Sequence, residues 1–202
     1  TNGLPMLVAQ ATAAAGYFLG TPGAFQKENQ RIIKSMQQQM GNIVLIGMPG
    51  TGKSIIGKLL AELTGKTLQD TDAKIEEEAE MTIPEIFEKE GEAGFRDRES
   101  AICKKLGKER NLIIATGGGA ILRHENVAAL RQNGTLVHIT RSIDKLPTRG
   151  RPLSKNIEAL KKMEAQRMPL YKAAADITFR NNYTCSRKKL RERVNTYILE
   201  KL

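Results

Sequence analysis

Tryptophan is absent from this 202-residue chain, histidine occurs twice, and aromatic residues make up 4%. With so few rings to stack on bases, a reader of single-stranded nucleic acid is disfavoured. The two cysteines, Cys103 and Cys185, stand far apart and no Cys-x-x-Cys occurs. That excludes a disulfide framework and a thiolate metal site, and it suggests a reducing compartment. No apolar run approaches the ~18 residues of a membrane span. The apolar stretch near the start lacks a basic flank, so it does not read as a secretory signal, and Thr1 suggests that the chain begins after a cut. A cytoplasmic, soluble protein is expected. What is present, 40% apolar and 27% charged residues, is ordinary globular usage and rules out fibrous or disordered classes.

The formal charge of +10 is unevenly placed. Residues 1–140 balance at 16 Lys/Arg and 16 Asp/Glu, whereas the last 62 carry 16 against 6. A basic end can serve nucleic acid, an anionic surface or small phosphorylated ligands. The shortage of aromatics favours small anions.

The pattern changes near Gly41. Ahead of it, Leu4, Leu7, Val8, Ala11, Ala15 and Phe18 form a helical stripe, followed by a break at Gly20–Gly23 and a second stripe of Ile32, Ile33, Met36 and Met40. Beyond it, short apolar strands alternate with helices. Strands are expected at Asn42–Ile46, 66–68, Leu112–Ala115, Thr135–Ile139 and Ile177–Phe179. Helices are expected after Ser54 (Ile55, Ile56, Leu59, Leu60 and Leu63 on one face) and at about 72–80, 82–89, 93–107, 124–133, 157–173 and 186–200. Thr82 and Glu85 read as a capping box. This alternation predicts an α/β fold with a parallel sheet covered by helices.

Between the first strand and its helix stands Gly47-Met48-Pro49-Gly50-Thr51-Gly52-Lys53-Ser54, a complete phosphate-binding loop running on into Ile55. In such a loop backbone N–H groups turn around phosphate oxygens, the lysine reaches the outer phosphates and the serine hydroxyl ligates Mg²⁺. A nucleoside triphosphate is the expected ligand. After the second strand comes Asp70-Thr-Asp72. Two readings are open there: carboxylates dividing work between a metal and a substrate hydroxyl, or Thr71 or Asp72 capping the next helix. Phe95-Arg96-Asp-Arg-Glu99 is either a carboxylate clamp braced one turn on or a solvated face. Thr116-Gly117-Gly118-Gly119 lies at the carboxyl end of a strand, where open α/β sheets take ligands.

Those motifs, together with Arg151-Pro-Leu153 and Arg167-x-x-Leu170-Tyr171, resemble the shikimate kinase family over residues 41–202. The resemblance implies a P-loop kinase with a five-stranded parallel sheet in the order 2-3-1-4-5, transferring phosphate from ATP to the 3-hydroxyl of shikimate with Mg²⁺. It implies catalytic roles for Asp72, Lys53 and Arg151, and metal contact by Ser54 and, through water, Asp70. ATP would lie on Gly47–Ile55 and Arg151, the last in a lid at about 147–157. Shikimate would lie on Asp72, Arg96, Gly117, Gly118, Gly119 and Arg167. The stretch Thr140–Gly150 is shorter than in many members, which carry an adenine-stacking arginine there; Arg149 is the candidate substitute. Arg180-Asn-Asn182 falls near the family's other adenine-side loop. Arg187–Arg193 reads as the solvated face of a helix, so no nucleic-acid partner and no membrane partner are expected, and the kinase domain is expected to be monomeric. Gluconate kinase, or a P-loop nucleotide switch or nucleic-acid ATPase, is the alternative.

Residues 1–40 have a resemblance of their own. Gly3-Leu-Pro-Met-Leu-Val-Ala-Gln10-Ala11 is similar to the closing helix of shikimate dehydrogenase. That implies a remnant of a dehydrogenase–kinase fusion, without dehydrogenase activity because the dinucleotide-binding part is absent.

Overall fold

The computed structural model describes residues 3–146, 157–182 and 186–202. It divides into two compact units, Thr1–Gly41 and Asn42–Leu202. The first holds helices α1 (Leu4–Phe18) and α2 (Asn29–Met40), with Pro5 tolerated in the first turn of α1. The Thr12 hydroxyl donates to Asn29 Oδ1 at 2.7 Å and ties the two together. Val8 is buried, but Leu7 and Phe18 of the expected stripe are 58% and 91% exposed. The stripe is therefore apolar without being enclosed, because a helical face needs a packed layer opposite it to be covered.

In the second unit five parallel strands, β1 (Asn42–Ile46), β2 (Thr67–Asp70), β3 (Leu112–Ala115), β4 (Gly134–Thr140) and β5 (Ile177–Arg180), lie in the order β2-β3-β1-β4-β5, the order the family resemblance implies. Among the described residues six α-helices connect or close them: α3 (Lys53–Thr64), α4 (Thr71–Ala79), α5 (Ile83–Lys108), α6 (His124–Arg131), α7 (Ile157–Ala174) and α8 (Arg187–Tyr197). Alternate strand residues feed two separate cores. Val44, Ile46, Ile114 and Leu136 pack with Ile102 and Leu106 of α5 and Leu160 and Tyr171 of α7. Ile43, Leu45, Ile113, Val137 and Ile139 pack with Ile56, Leu59 and Leu60 of α3, Val194 of α8 and Ile198 just after it. Both faces are thus covered, which is why the strands read as apolar runs rather than as alternation. Each such side chain gains ~1.5–3 kcal/mol on leaving water.

The helices expected at 82–89 and 93–107 are both present within Ile83–Lys108, separated at Gly91, whose φ of 69° and ψ of −174° no helix accommodates. Two local expectations change. Asp70, rather than Thr71 or Asp72, caps α4: its side chain accepts the Asp72 N–H at 3.0 Å, since a cap must precede the first helical residue. Ile55 is 61% exposed instead of packed, because it stands on the solvent side of the first turn of α3. The capping-box reading stands, with Glu85 Oε2 accepting the Thr82 N–H at 2.7 Å. No helix among the described residues is long and apolar enough to cross a membrane.

Candidate active site

In a parallel sheet the carboxyl ends of all strands meet at one edge, and there the ends of β1, β2, β3 and β4 line a cavity of about 700 Å³. Strand β1 delivers the phosphate-binding loop, β2 delivers Asp70 and Asp72, β3 delivers Thr116–Gly119, and Arg96 and Arg167 reach in from α5 and α7. Of the sequence-predicted loop residues, Pro49, Gly50, Gly52, Lys53, Ser54 and Ile55 line the cavity. Met48 is instead buried in the core, and the Thr51 hydroxyl turns back to the Met48 carbonyl at 2.9 Å. Both brace the loop from behind. Arg151 and Arg149, with nearly all of the 147–157 stretch, lie outside the described residues.

Lys53 Nζ donates to the Gly47 and Met48 carbonyls at 2.7 and 3.0 Å, so its charge is held over the mouth of the loop. The Ser54 hydroxyl lies 3.2 Å from Asp70 Oδ2. Two hard oxygen donors side by side beside a phosphate loop suit Mg²⁺, which takes few protein ligands and keeps water and phosphate as the rest.

Opposite the loop, Asp72 Oδ1 and Glu99 Oε1 are shut off from solvent with no hydrogen-bond partner. Burial first, and then the neighbouring Asp70 and Glu99 charges, push the Asp72 carboxyl up to about 6, although Lys53 draws it down. Glu99 is raised as well, by burial, with Arg96 opposing. Arg96 Nη1 donates to Glu99 Oε2 at 2.8 Å and Nη2 to Glu92 Oε1 at 3.0 Å, so one end of the guanidinium is fixed by a buried carboxylate. The same guanidinium lies flat against Gly119, where any Cβ would collide with Arg96 Nη1. Gly119 is the close approach that a glycine permits.

Some of the positioning residues carry no role in the motifs as read from sequence. The Tyr171 hydroxyl donates to the Gly118 carbonyl at 2.6 Å and Arg167 Nη1 donates to the same oxygen at 2.9 Å, which pins the glycine loop from below. The Tyr171 ring is 1% exposed and stacks on His138 with centroids 4.8 Å apart. Asn181 Nδ2 donates to the Thr51 carbonyl at 2.7 Å and braces the phosphate loop from the β5 side. These pairs are 53 and 130 residues apart in sequence, and no local signal announces them.

His138 supplies a prediction. Burial, reinforced by Lys53 and Lys172, lowers its imidazole from 6.5 to about 4. The folded protein therefore keeps it neutral while the unfolded chain takes up a proton below 6.5. Stability is complete above pH 6.5 and falls as pH drops toward 4. In thermal melts from pH 7.5 to 4.5, His138→Phe is expected to flatten part of that decline; an unchanged slope would remove His138 as its source.

The shikimate kinase family model matches residues 49–202. A shikimate kinase of Nitrosomonas europaea is 48% identical over 145 residues, covering 68% of this chain and 69% of that one. One of Chromobacterium violaceum is 39% identical over 151 residues, covering 71% and 82%. Among solved structures, shikimate kinase from Acinetobacter baumannii in complex with shikimate superposes with a TM-score of 0.74 at 35% identity, covering 84% of this chain and 98% of that one. With the loop, the paired aspartates, the braced arginine and the glycine strip gathered at one sheet edge, the chain belongs to the shikimate kinase family.

Proposed function

We propose that the protein transfers the γ-phosphoryl group of ATP to the 3-hydroxyl of shikimate, giving ADP and shikimate 3-phosphate. The observation that carries this reading is Asp72: a half-buried carboxylate, one oxygen of which is closed to solvent without a partner, on the wall of the cavity that the phosphate loop also lines. Above about pH 6 it is ionised, and it accepts the proton of the acceptor hydroxyl as that oxygen attacks phosphorus. Lys53 leaves the loop carbonyls for the phosphate oxygens and, with the N-terminus of α3, offsets charge on the moving group. Arg96 and Arg167 grip the acceptor's carboxylate, and the Gly117–Gly119 backbone lies against its ring. Ser54, with Asp70 through water, would hold Mg²⁺, which neutralises phosphate charge. Arg151, outside the described residues, is assigned by family resemblance to the nucleotide phosphates. A cytoplasmic setting fits both ATP supply and the free, buried Cys103. The test is ADP release measured with shikimate, with gluconate and with neither. Release only with shikimate is expected; release independent of any acceptor would overturn the assignment.

For residues 1–40 we propose a remnant of a shikimate dehydrogenase C-terminus that takes no part in phosphoryl transfer, joined to a kinase unit that is monomeric. Its support is the compact Thr1–Gly41 unit and the exposure of Met6, Leu7, Tyr17, Phe18 and Leu19, side chains suited to packing on a larger body. Deleting 1–40 is expected to leave kcat and KM within about twofold, with the solution mass of a monomer. Lost activity in a folded truncated protein would end the remnant reading.

A further inference from the structure

The cavity is lined by four cations among the described residues, and three of them are satisfied by the protein. Lys53 donates to two loop carbonyls, Arg96 to Glu99 and Glu92, and Arg167 to the Gly118 carbonyl. The fourth, Arg141, is half-buried, its Nε is closed to solvent without a hydrogen-bond partner, and among the described residues it has no ion pair. An Nε–H closed to solvent without an acceptor is costly, and on a cavity wall that cost is relieved by an anionic ligand.

The mount of Arg141 is rigid. It is the first residue after β4, and its two neighbours are fixed to the end of β5. The Thr140 carbonyl accepts the Asn181 N–H at 2.7 Å, and the Ser142 N–H donates to Asn182 Oδ1 at 2.6 Å. Asn181 in turn holds the Thr51 carbonyl of the phosphate loop. Arg141 is therefore registered to that loop through two short links.

Strand order decides which anion. The acceptor-side residues Asp72 and Gly117–Gly119 follow β2 and β3, on one side of β1; Arg141 follows β4, on the other. A carboxylic acid already has two arginines, on α5 and α7. We propose that Arg141 is a phosphate-binding residue, donating to the phosphate oxygens of the nucleotide from the β4 side of the loop.

The proposal rests on the nucleotide reading of the loop, and calorimetry with ADP separates the two. Failure of the wild-type protein to bind ADP would overturn that reading itself. With wild-type binding established, Arg141→Gln is expected to weaken ADP about 10- to 100-fold, in keeping with loss of a charge-assisted hydrogen bond. It is also expected to flatten the salt dependence of ADP binding, while shikimate affinity stays within twofold. Arg141→Lys keeps the charge and is expected to recover the salt dependence. ADP affinity within twofold of wild type, a loss with unchanged salt dependence, or an equal loss for shikimate would each overturn the assignment. An unchanged melting temperature certifies that the variants are folded.

Discussion

Asp72→Asn is expected to lower kcat by about 10²–10⁴, the usual cost of deleting a general base, while ADP binds as tightly as before. The amide keeps the shape of the carboxyl but accepts no proton. Two further readouts separate chemistry from damage. The wild-type rate is expected to rise with pH through about 6, the value to which burial and nearby carboxylates push Asp72, and this step is expected to vanish in the variant. A carboxyl whose proton is held more tightly in the folded state than in the unfolded chain destabilises the fold once ionised. At neutral pH the variant is therefore expected to melt no lower than wild type. Turnover within threefold of wild type would take the base role from Asp72.

Arg96→Ala combines two losses that are separable. The substrate carboxylate gives up a charge-assisted hydrogen bond worth ~1.5–3 kcal/mol, or roughly 10- to 150-fold in KM for shikimate. Glu99, with none of its surface exposed, is left as a buried charge without its partner, which typically costs about 3–5 kcal/mol of stability. The double variant Arg96→Met with Glu99→Leu removes both charges and is expected to restore much of the melting temperature but none of the shikimate affinity. ADP affinity is expected to hold in both. An equal loss for nucleotide and acid, or recovery of shikimate affinity in the double variant, would show that Arg96 supports the fold rather than the substrate.

Legibility from sequence followed the range of the interactions. The β1 and β3 boundaries were readable because both strands are buried on two faces and bounded by polar or glycine residues. The phosphate loop was readable because its function lies in the backbone of eight consecutive residues. Asp70 lies 3.2 Å from Ser54, but its capping of α4 falls, on the sequence reading, to its neighbours Thr71 or Asp72, since sequence alone does not fix where a helix begins to within one residue. Ile55 fitted an apolar stripe and yet faces out, because the first turn after a phosphate loop is aimed at the cavity. The strand order came from family resemblance and not from periodicity. Tyr171 is visible as part of a motif and silent as to role, because Tyr171 lies on α7 and its partner Gly118 in the loop after β3. Arg141 had no motif at all; only its closed-off Nε marks it.

That the site is assembled from the ends of β1, β2, β3 and β4 has a consequence for how the chain acquires it during synthesis. Parallel neighbours cannot be joined by a hairpin, so every pairing waits for a crossover to be completed. A nascent chain extending just past β3, to Gly119, already carries Lys53, Asp72, Arg96 and the glycine strip, yet β1 then has only one of its two neighbours, because β4 is still to come. Arg167, on α7, arrives later again. The chemistry is thus encoded early and assembled late, and the return of turnover after denaturation reports the docking of the last two strands rather than the first appearance of helix.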